Sequence, residues 1–194
     1  MSEWEDFQSP GSVFHLLAEH IHPTDAPSYM SDPTYYGLYH ALALKIQPKI
    51  ILEIGVRFGY SAICLLHGSR GKASFLGYDF EHWPGSNDFA EHTLKKLTSG
   101  AVRLVRTNTQ AHVSLPLTEG FTPVDLAHID GQHDVAALWH DLDLVHPLLG
   151  RPGYILVDDV ADPNLRFAAS KWADVNGLRS HELGSLRGHL LLTV

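Results

Sequence analysis

Apolar positions along the chain alternate between two periods. Residues 50–54 (IILEI) form a nearly continuous β-branched run with one acid, Glu53. Such a run reads as a strand buried on both faces, at the centre of a parallel sheet. Shorter runs at 74–79 (SFLGYD), 102–105 (VRLV), 124–129 (VDLAHI) and 154–157 (YILV) predict four more strands. Segments 178–183 and 189–193 predict two closing strands, read as antiparallel neighbours. Between the strands, apolar residues recur at helical spacing over 13–21, 31–45, 62–67, 89–97, 134–149 and 165–175. Ser31, Asp32 and Pro33 give the second of these helices a capped start, and Gln47-Pro48 ends it. Residues 150–153 read as a turn, 22–30 as a loop and 1–10 as a mobile terminus. Alternating strands and helices predict an α/β fold, a Rossmann-like, seven-stranded, mostly parallel sheet with helices on both faces. The length fits one domain over residues 1–194, with 1–47 as an N-terminal helical cap. Tyr35, Tyr36 and Tyr39 of that cap read as core packing.

Composition narrows the function more than the fold. Apolar content of 44% and charged content of 19% are ordinary for a globular chain. A formal net charge of −8 argues against a nucleic-acid partner, because phosphate binding is driven by Lys and Arg. No apolar run reaches membrane-span length, so no membrane association is expected. The opening MSEWEDFQSP lacks the basic and apolar regions of a signal peptide. The single cysteine, Cys64, allows no internal disulfide and reads as a small buried hydrophobe. A cytoplasmic location is the expectation.

The turn after the first strand carries the first candidate chemistry. Gly55 and Gly59 are spaced G-x-x-x-G, and Glu53 stands two residues before the first glycine. A strand, a glycine turn and a helix start bring backbone N–H groups and a helix dipole beside a bound group. The spacing departs from the G-x-G-x-x-G of dinucleotide sites. It resembles the first motif of class I S-adenosylmethionine-dependent methyltransferases, and the resemblance puts Glu53, Gly55 and Gly59 around the cofactor. The string GYSA at 59–62 resembles the small catechol-type O-methyltransferases, which implies that Ser61 holds the methionine carboxylate. The alternative is a tight strand–helix turn without a ligand. Asp79 ends the second strand, where an acid hydrogen-bonds ribose hydroxyls in nucleoside-binding α/β folds, with Glu81 as the near alternative. Trp83 reads as packing of its polar loop, with stacking near the adenine as the other role. Thr109 and Gln110 follow the third strand. A similar step in catechol-type enzymes contacts the adenine, and the same residues also suit an N-cap.

The second candidate site is acidic. Asp130 ends the fourth strand and Asp158-Asp159 the fifth, so three carboxylates are expected to meet at one sheet edge. Unpaired acids that close repel and raise each other's pKa. No basic side chain is adjacent to take a metal's place, and a divalent cation with oxygen ligands relieves the repulsion. The strings IDGQH and VDDV resemble metal-dependent sugar and natural-product O-methyltransferases. In catechol-type relatives the matching metal ligands are two aspartates and an asparagine, which implies Asp130, Asp158 and Asp159 as ligands to Mg²⁺ or another divalent cation. Asp130 also borders the cofactor. A lysine base in those relatives stands where His133 does here, and an imidazole with an unperturbed pKa of about 6.5 suits proton removal. The expected function is S-adenosylmethionine-dependent methylation of a hydroxyl on a small molecule, a sugar or natural product, with His133 and Asp130 at the chemistry. A non-catalytic or differently catalytic protein of the same fold, such as a cyclase, is the alternative. A nucleotide-dependent oxidoreductase is disfavoured by the glycine spacing. The short connection at 161–164 leaves little local cover, so the N-terminal segment or a second subunit, as in a homodimer, is expected to complete the site.

Overall fold

The computed structural model describes Trp4, Phe7 and residues 13–22, 33–185 and 187–194. The expected mobile terminus at 1–10 lies largely outside these residues, and the loop before Met30 and the Ser31–Asp32 cap also fall mainly or wholly beyond them. The sheet runs β1 (Ile50–Ile54), β2 (Ser74–Asp79), β3 (Val102–Arg106), β4 (Val124–Ile129), β5 (Leu149–Val157), β6 (Arg179–Leu183) and β7 (His189–Thr193). Its spatial order is β3-β2-β1-β4-β5-β7-β6. The five strands β1 to β5 pair in parallel, and β7 joins β5 and β6 antiparallel. This is the predicted mostly parallel seven-stranded architecture.

Helices α1 (Phe14–Leu17), α2 (Pro33–Ile46), α3 (Tyr60–Gly68), α4 (Ser86–Leu97), α5 (Val135–Val145) and α6 (Pro163–Asn176) flank the sheet. Strand side chains alternate between two cores. Ile51, Leu126, Leu156 and Leu191 pack with α2 and α3, while Leu52, Ala127, Ile155 and Leu192 pack with α5 and α6. The first face is not wholly apolar. Glu53, His128, Asp158 and His189 share the α2 side by the same period of two, and all are buried.

Several boundaries differ from the pattern. The stretch expected as one helix over 13–21 is α1 followed by a 3₁₀ turn at Ala18–His20. α4 starts at Ser86 rather than Phe89, because Gly85 takes φ +82° and its carbonyl receives the Phe89 N–H. α5 ends at Val145, and a 3₁₀ turn containing Pro147 replaces the expected last helical turn, since proline has no N–H to donate. Residues 150–153 are not a turn: β5 begins at Leu149, opposite Val124, with a register shift before Tyr154 meets Leu126. Among the described residues, no helix is long and apolar enough to cross a membrane. Cys64 is fully buried, and burial raises its thiol pKa strongly, as expected of a packing residue.

Candidate active site

The turn after β1 is fused to the end of β4. Gly55 takes φ +90°. Its N–H donates to the Tyr78 carbonyl at 2.8 Å, and the Asp130 N–H donates to the Ile54 carbonyl at 2.9 Å. A Cβ on Gly55 would stand 1.8 Å from the Asp130 carbonyl oxygen. Only glycine permits this approach with this backbone. Beside the fused turn, at the carboxyl ends of β1, β2 and β4, opens a cavity of about 540 Å³. Gly55, Asp79, Thr109, Gln110, Asp130 and His133 all line it. Ser61 lines a smaller adjoining cavity of about 60 Å³, which shares Gly55, Arg57, Asp130 and Arg187 with the first. Gly59, at φ +79°, is the N-cap of α3 and lines neither cavity. Glu53 is fully buried behind them, and the Ser61 hydroxyl donates to it.

Asp79 faces the cavity and accepts the N–H of Arg57 at 2.8 Å and that of Glu81. Glu81, the alternative acid, is engaged elsewhere: Arg106 Nη2 donates to it at 2.8 Å. Trp83 is 44% exposed, lines the cavity and carries the Arg57 guanidinium 4.2 Å from its ring centroid. It forms an open aromatic wall rather than a packed plug, and the exposed Phe80 stands on the same lining. Asn108 caps the short turn with its side chain accepting from Gln110 N–H at 3.0 Å. Thr109 Oγ1 and Gln110 Nε2 donate to Asp141 Oδ1 at 2.7 and 2.9 Å. Asp141 escaped the sequence reading. Its signal was an acid on the buried stripe of α5 between Leu138 and Val145, and burial pushes its carboxyl up to about 6.

The three aspartates do come together, but they are not unpaired. Arg187, in the β6–β7 connection, grips Asp159 with both arms of its guanidinium, Nε to Oδ1 at 2.7 Å and Nη2 to Oδ2 at 2.8 Å. His133 bridges two of the acids, Nδ1 at 3.0 Å from Asp159 Oδ2 and Nε2 at 3.4 Å from Asp130 Oδ1. The expectation that no basic group stands beside the cluster is therefore corrected. Arg187 lies 28 residues beyond Asp159 and reaches it only through the antiparallel hairpin. Asp158 is buried. Tyr35 and Tyr39 donate to its Oδ2, the latter at 3.1 Å, and the Asp159 N–H donates to Oδ1 at 2.7 Å. His189 Nε2 lies 3.2 Å from Asp158 Oδ1. The cap tyrosines thus pack and also hydrogen-bond the acid cluster. Asp134 caps α5 by accepting from Ala137 N–H at 2.9 Å, which fixes the turn that presents His133.

The charges answer to these contacts. The Asp130 carboxyl is pushed up to about 6, by burial first and then by Asp158. Contacts with Asp130 and Asp159 push His133 up to about 10. Asp159 is held low, because His133 and Arg187 outweigh its burial. Burial brings His189 down to about 4, so it is neutral. Below the cluster, His128 Nδ1 lies 2.8 Å from Glu53 Oε1, both side chains being fully buried. Among the described residues, Asp130, Asp158 and Asp159 do not form one ligand set. They divide into His128–Asp130–Asp158 and Asp130–His133–Asp159, each with its ligand atoms within 4.8 Å of one another.

Comparison with known proteins gives one family match: the family described as "Methyltransferase domain" matches residues 52–160. No curated protein matches the chain. Solved structures do. The O-methyltransferase TomG of Streptomyces achromogenes, involved in tomaymycin synthesis and solved with S-adenosylmethionine, is 18% identical, covers 100% of both chains and superposes with a TM-score of 0.67. The Podospora anserina methyltransferase PaMTH1, solved with S-adenosylhomocysteine, is 21% identical over 91% of this chain and 86% of its own, with a TM-score of 0.64. CalS11, a TDP-rhamnose 3′-O-methyltransferase of calicheamicin biosynthesis, is 17% identical over 92% of this chain and 90% of its own, with a TM-score of 0.66.

Proposed function

Because the chain belongs to the methyltransferase-domain family, we propose that it moves the methyl group of S-adenosylmethionine to a hydroxyl of a small molecule. The acceptor class is the sugar or natural-product kind on which CalS11 and TomG work. The observation that carries the reading is the cavity of about 540 Å³ that Gly55, Asp79, Gln110 and Asp130 line together with His133. Its size suits a small organic ligand, for which pockets run to roughly 300–1,000 Å³. The residues assigned to the cofactor and to the proton thus border the same space.

S-Adenosylmethionine, when bound, supplies an electrophilic methyl on a sulfonium. The residues assigned to touch it are Gly55, Asp79, Thr109, Gln110 and Asp130, with Ser61 in the adjoining cavity, while Glu53 and Gly59 shape the turn from behind. Asp79 offers carboxylate oxygens to a ribose diol while its backbone contacts keep it fixed. Asp141 braces Thr109 and Gln110 from behind. Trp83 and Phe80 form the wall on the solvent side. His133, which is 52% exposed at the side chain, is assigned the acceptor's proton at Nε2, with Asp130 beside it. Both ring nitrogens face carboxylates in this structure, and those contacts hold the ring protonated up to about pH 10; the acceptor must replace one of them, which lowers that pKa and frees Nε2 to take the proton. The rest of the rate enhancement is positioning on a wall built from rigid strand ends.

A divalent cation belongs to the same reading; of the acids expected to hold it, Asp130 and Asp158 share one ligand set, while Asp159 falls with Asp130 in the other. When bound, it supplies a Lewis acid that makes the hydroxyl easier to deprotonate. The hard carboxylate oxygens of Asp130 and Asp158 fit such an ion. Asp159 is already engaged with Arg187 and His133.

Isothermal calorimetry tests the cofactor. S-Adenosylhomocysteine is expected to bind and NAD is not; NAD binding without S-adenosylhomocysteine binding would overturn the proposal. Asp79→Ala is expected to weaken S-adenosylhomocysteine about 10–100-fold, since a charge-assisted hydrogen bond contributes roughly 1.5–3 kcal/mol. Unchanged affinity would remove Asp79 from the ribose site.

A further inference from the structure

His128 is the buried group for which methyl transfer has so far supplied no task. Its ring is fully buried on β4, with Tyr39 packed edge-on at 4.9 Å between ring centroids. Nδ1 is 2.8 Å from Glu53 Oε1. Nε2 makes no hydrogen bond among the described residues. Leaving a buried polar atom unpaired costs about 1–3 kcal/mol, and burying a carboxylate costs more unless it is paired and hydrogen-bonded. An apolar residue at position 128 would continue the strand, as Leu126 does two residues earlier on the same face.

A ring nitrogen of His128 and carboxylate oxygens of Asp130 and Asp158 lie within 4.8 Å of one another. That spacing leaves room for one ion bound to all three, at bond lengths of roughly 2.0–2.3 Å. With Nδ1 turned to Glu53, the ring has Nε2 left to offer. A histidine that ligates a metal through one nitrogen ordinarily gives its other N–H to a carboxylate, which fixes the tautomer and strengthens the donor. Glu53–His128 has that form.

We propose that the divalent cation of this site is held by His128, Asp130 and Asp158, with Glu53 as the carboxylate behind the histidine, and that Asp159 serves Arg187 instead. The inference rests on the cation in the function proposed above and changes its ligand set. One nitrogen among carboxylate oxygens selects for Mn²⁺, Fe²⁺, Co²⁺ or Zn²⁺ over Mg²⁺, whose preference is for oxygen alone. Glu53 gains a second meaning as well: the acid of the first glycine motif ties the cofactor turn, through Ser61, to the metal ligand.

The test uses the full chain titrated with Mn²⁺ and read by electron paramagnetic resonance and electron spin-echo envelope modulation. One Mn²⁺ is expected to bind, with modulation from a directly ligated imidazole nitrogen, and competition should show Mg²⁺ binding roughly tenfold or more weakly. Asp159→Asn should keep the ion and its nitrogen signal. His133→Ala and His189→Gln should each keep the nitrogen signal, which separates His128 from the other two histidines beside the acids. His128→Gln should lose it. Should that last variant fail to fold, the wild-type, His133→Ala and His189→Gln spectra decide alone. Absence of bound Mn²⁺, bound Mn²⁺ without nitrogen modulation, or a signal that disappears with His133 or His189 would each overturn the proposal. Calorimetry with S-adenosylhomocysteine is independent of all these outcomes. Its success beside a failed nitrogen signal would reject the ligand set and leave the methyltransferase reading intact.

Discussion

Replacing His133 with alanine is expected to lower kcat by about 10²–10⁴-fold, the usual cost of losing a general base, while S-adenosylhomocysteine affinity stays close to that of the unsubstituted protein. The loss corresponds to roughly 3–5 kcal/mol of transition-state stabilisation. The split between kcat and cofactor affinity follows from position. His133 borders the main cavity on the side of Asp130 and Asp159, whereas Asp79, assigned to the ribose, ends β2 on the other side of β1. Stability should hardly change. The side chain is 52% exposed, and ion pairs this accessible contribute only about 0–1 kcal/mol. At the size of this chain that is a shift in Tm of a few degrees at most, about 2–4 °C per kcal/mol. Single-turnover kinetics with a turned-over acceptor, alongside a melting curve, check both halves. A variant with native kcat would take the proton away from His133 and leave it a bridge between two acids.

Gly55→Ala is expected to remove cofactor binding and to lower Tm together. The added Cβ would meet the Asp130 carbonyl oxygen at 1.8 Å, and the carbonyl carbon at 2.5 Å, on a backbone at φ +90°. Neither neighbour is the end of a flexible side chain, so β1 and β4 must part. Backbone strain costs about 1–3 kcal/mol and overpacking about 1–3 kcal/mol, a sum of roughly 2–6 kcal/mol. The fall in Tm should then be roughly 5–20 °C. Because the same movement displaces Asp130 from the cavity wall, S-adenosylhomocysteine binding should be lost even at temperatures where the variant is folded. A variant with native Tm and native affinity would show that the fused turn is unimportant to both.

The sheet was legible because its information is local. The apolar run of Ile50–Ile54 and the alternation in Val124–Ile129 state their own burial, and the strand ends then place Asp79, Asp130 and Asp158 by topology alone. What the pattern could not disclose are the partners of those acids. Arg187 meets Asp159 across 28 residues, and His128 meets Glu53 across 75. Tyr35, read as a packing residue, reaches Asp158 from 123 residues away. Polar residues on an inward strand position do leave one trace: Glu53 and His128 interrupt β1 and β4, Asp158 follows β5 and His189 opens β7, on the same parity as Ile51, Leu126, Leu156 and Leu191. Read together across strands, those interruptions mark a polar seam on one sheet face. Taken one strand at a time, they look like isolated exceptions.

The antiparallel hairpin gives that seam an order of assembly. Asp130, Asp158 and Asp159 sit at the ends of parallel strands, but Arg187 and His189 arrive with the β6–β7 hairpin, and the contacts of Tyr39 to Asp158 and His189 close loops of 119 and 150 residues. Closing such long loops comes late, since their entropy must be overcome before the contacts can repay it. The parallel strands are therefore expected to pair while their terminal carboxylates still face water, and the Arg187 grip on Asp159 is expected among the last contacts made on refolding.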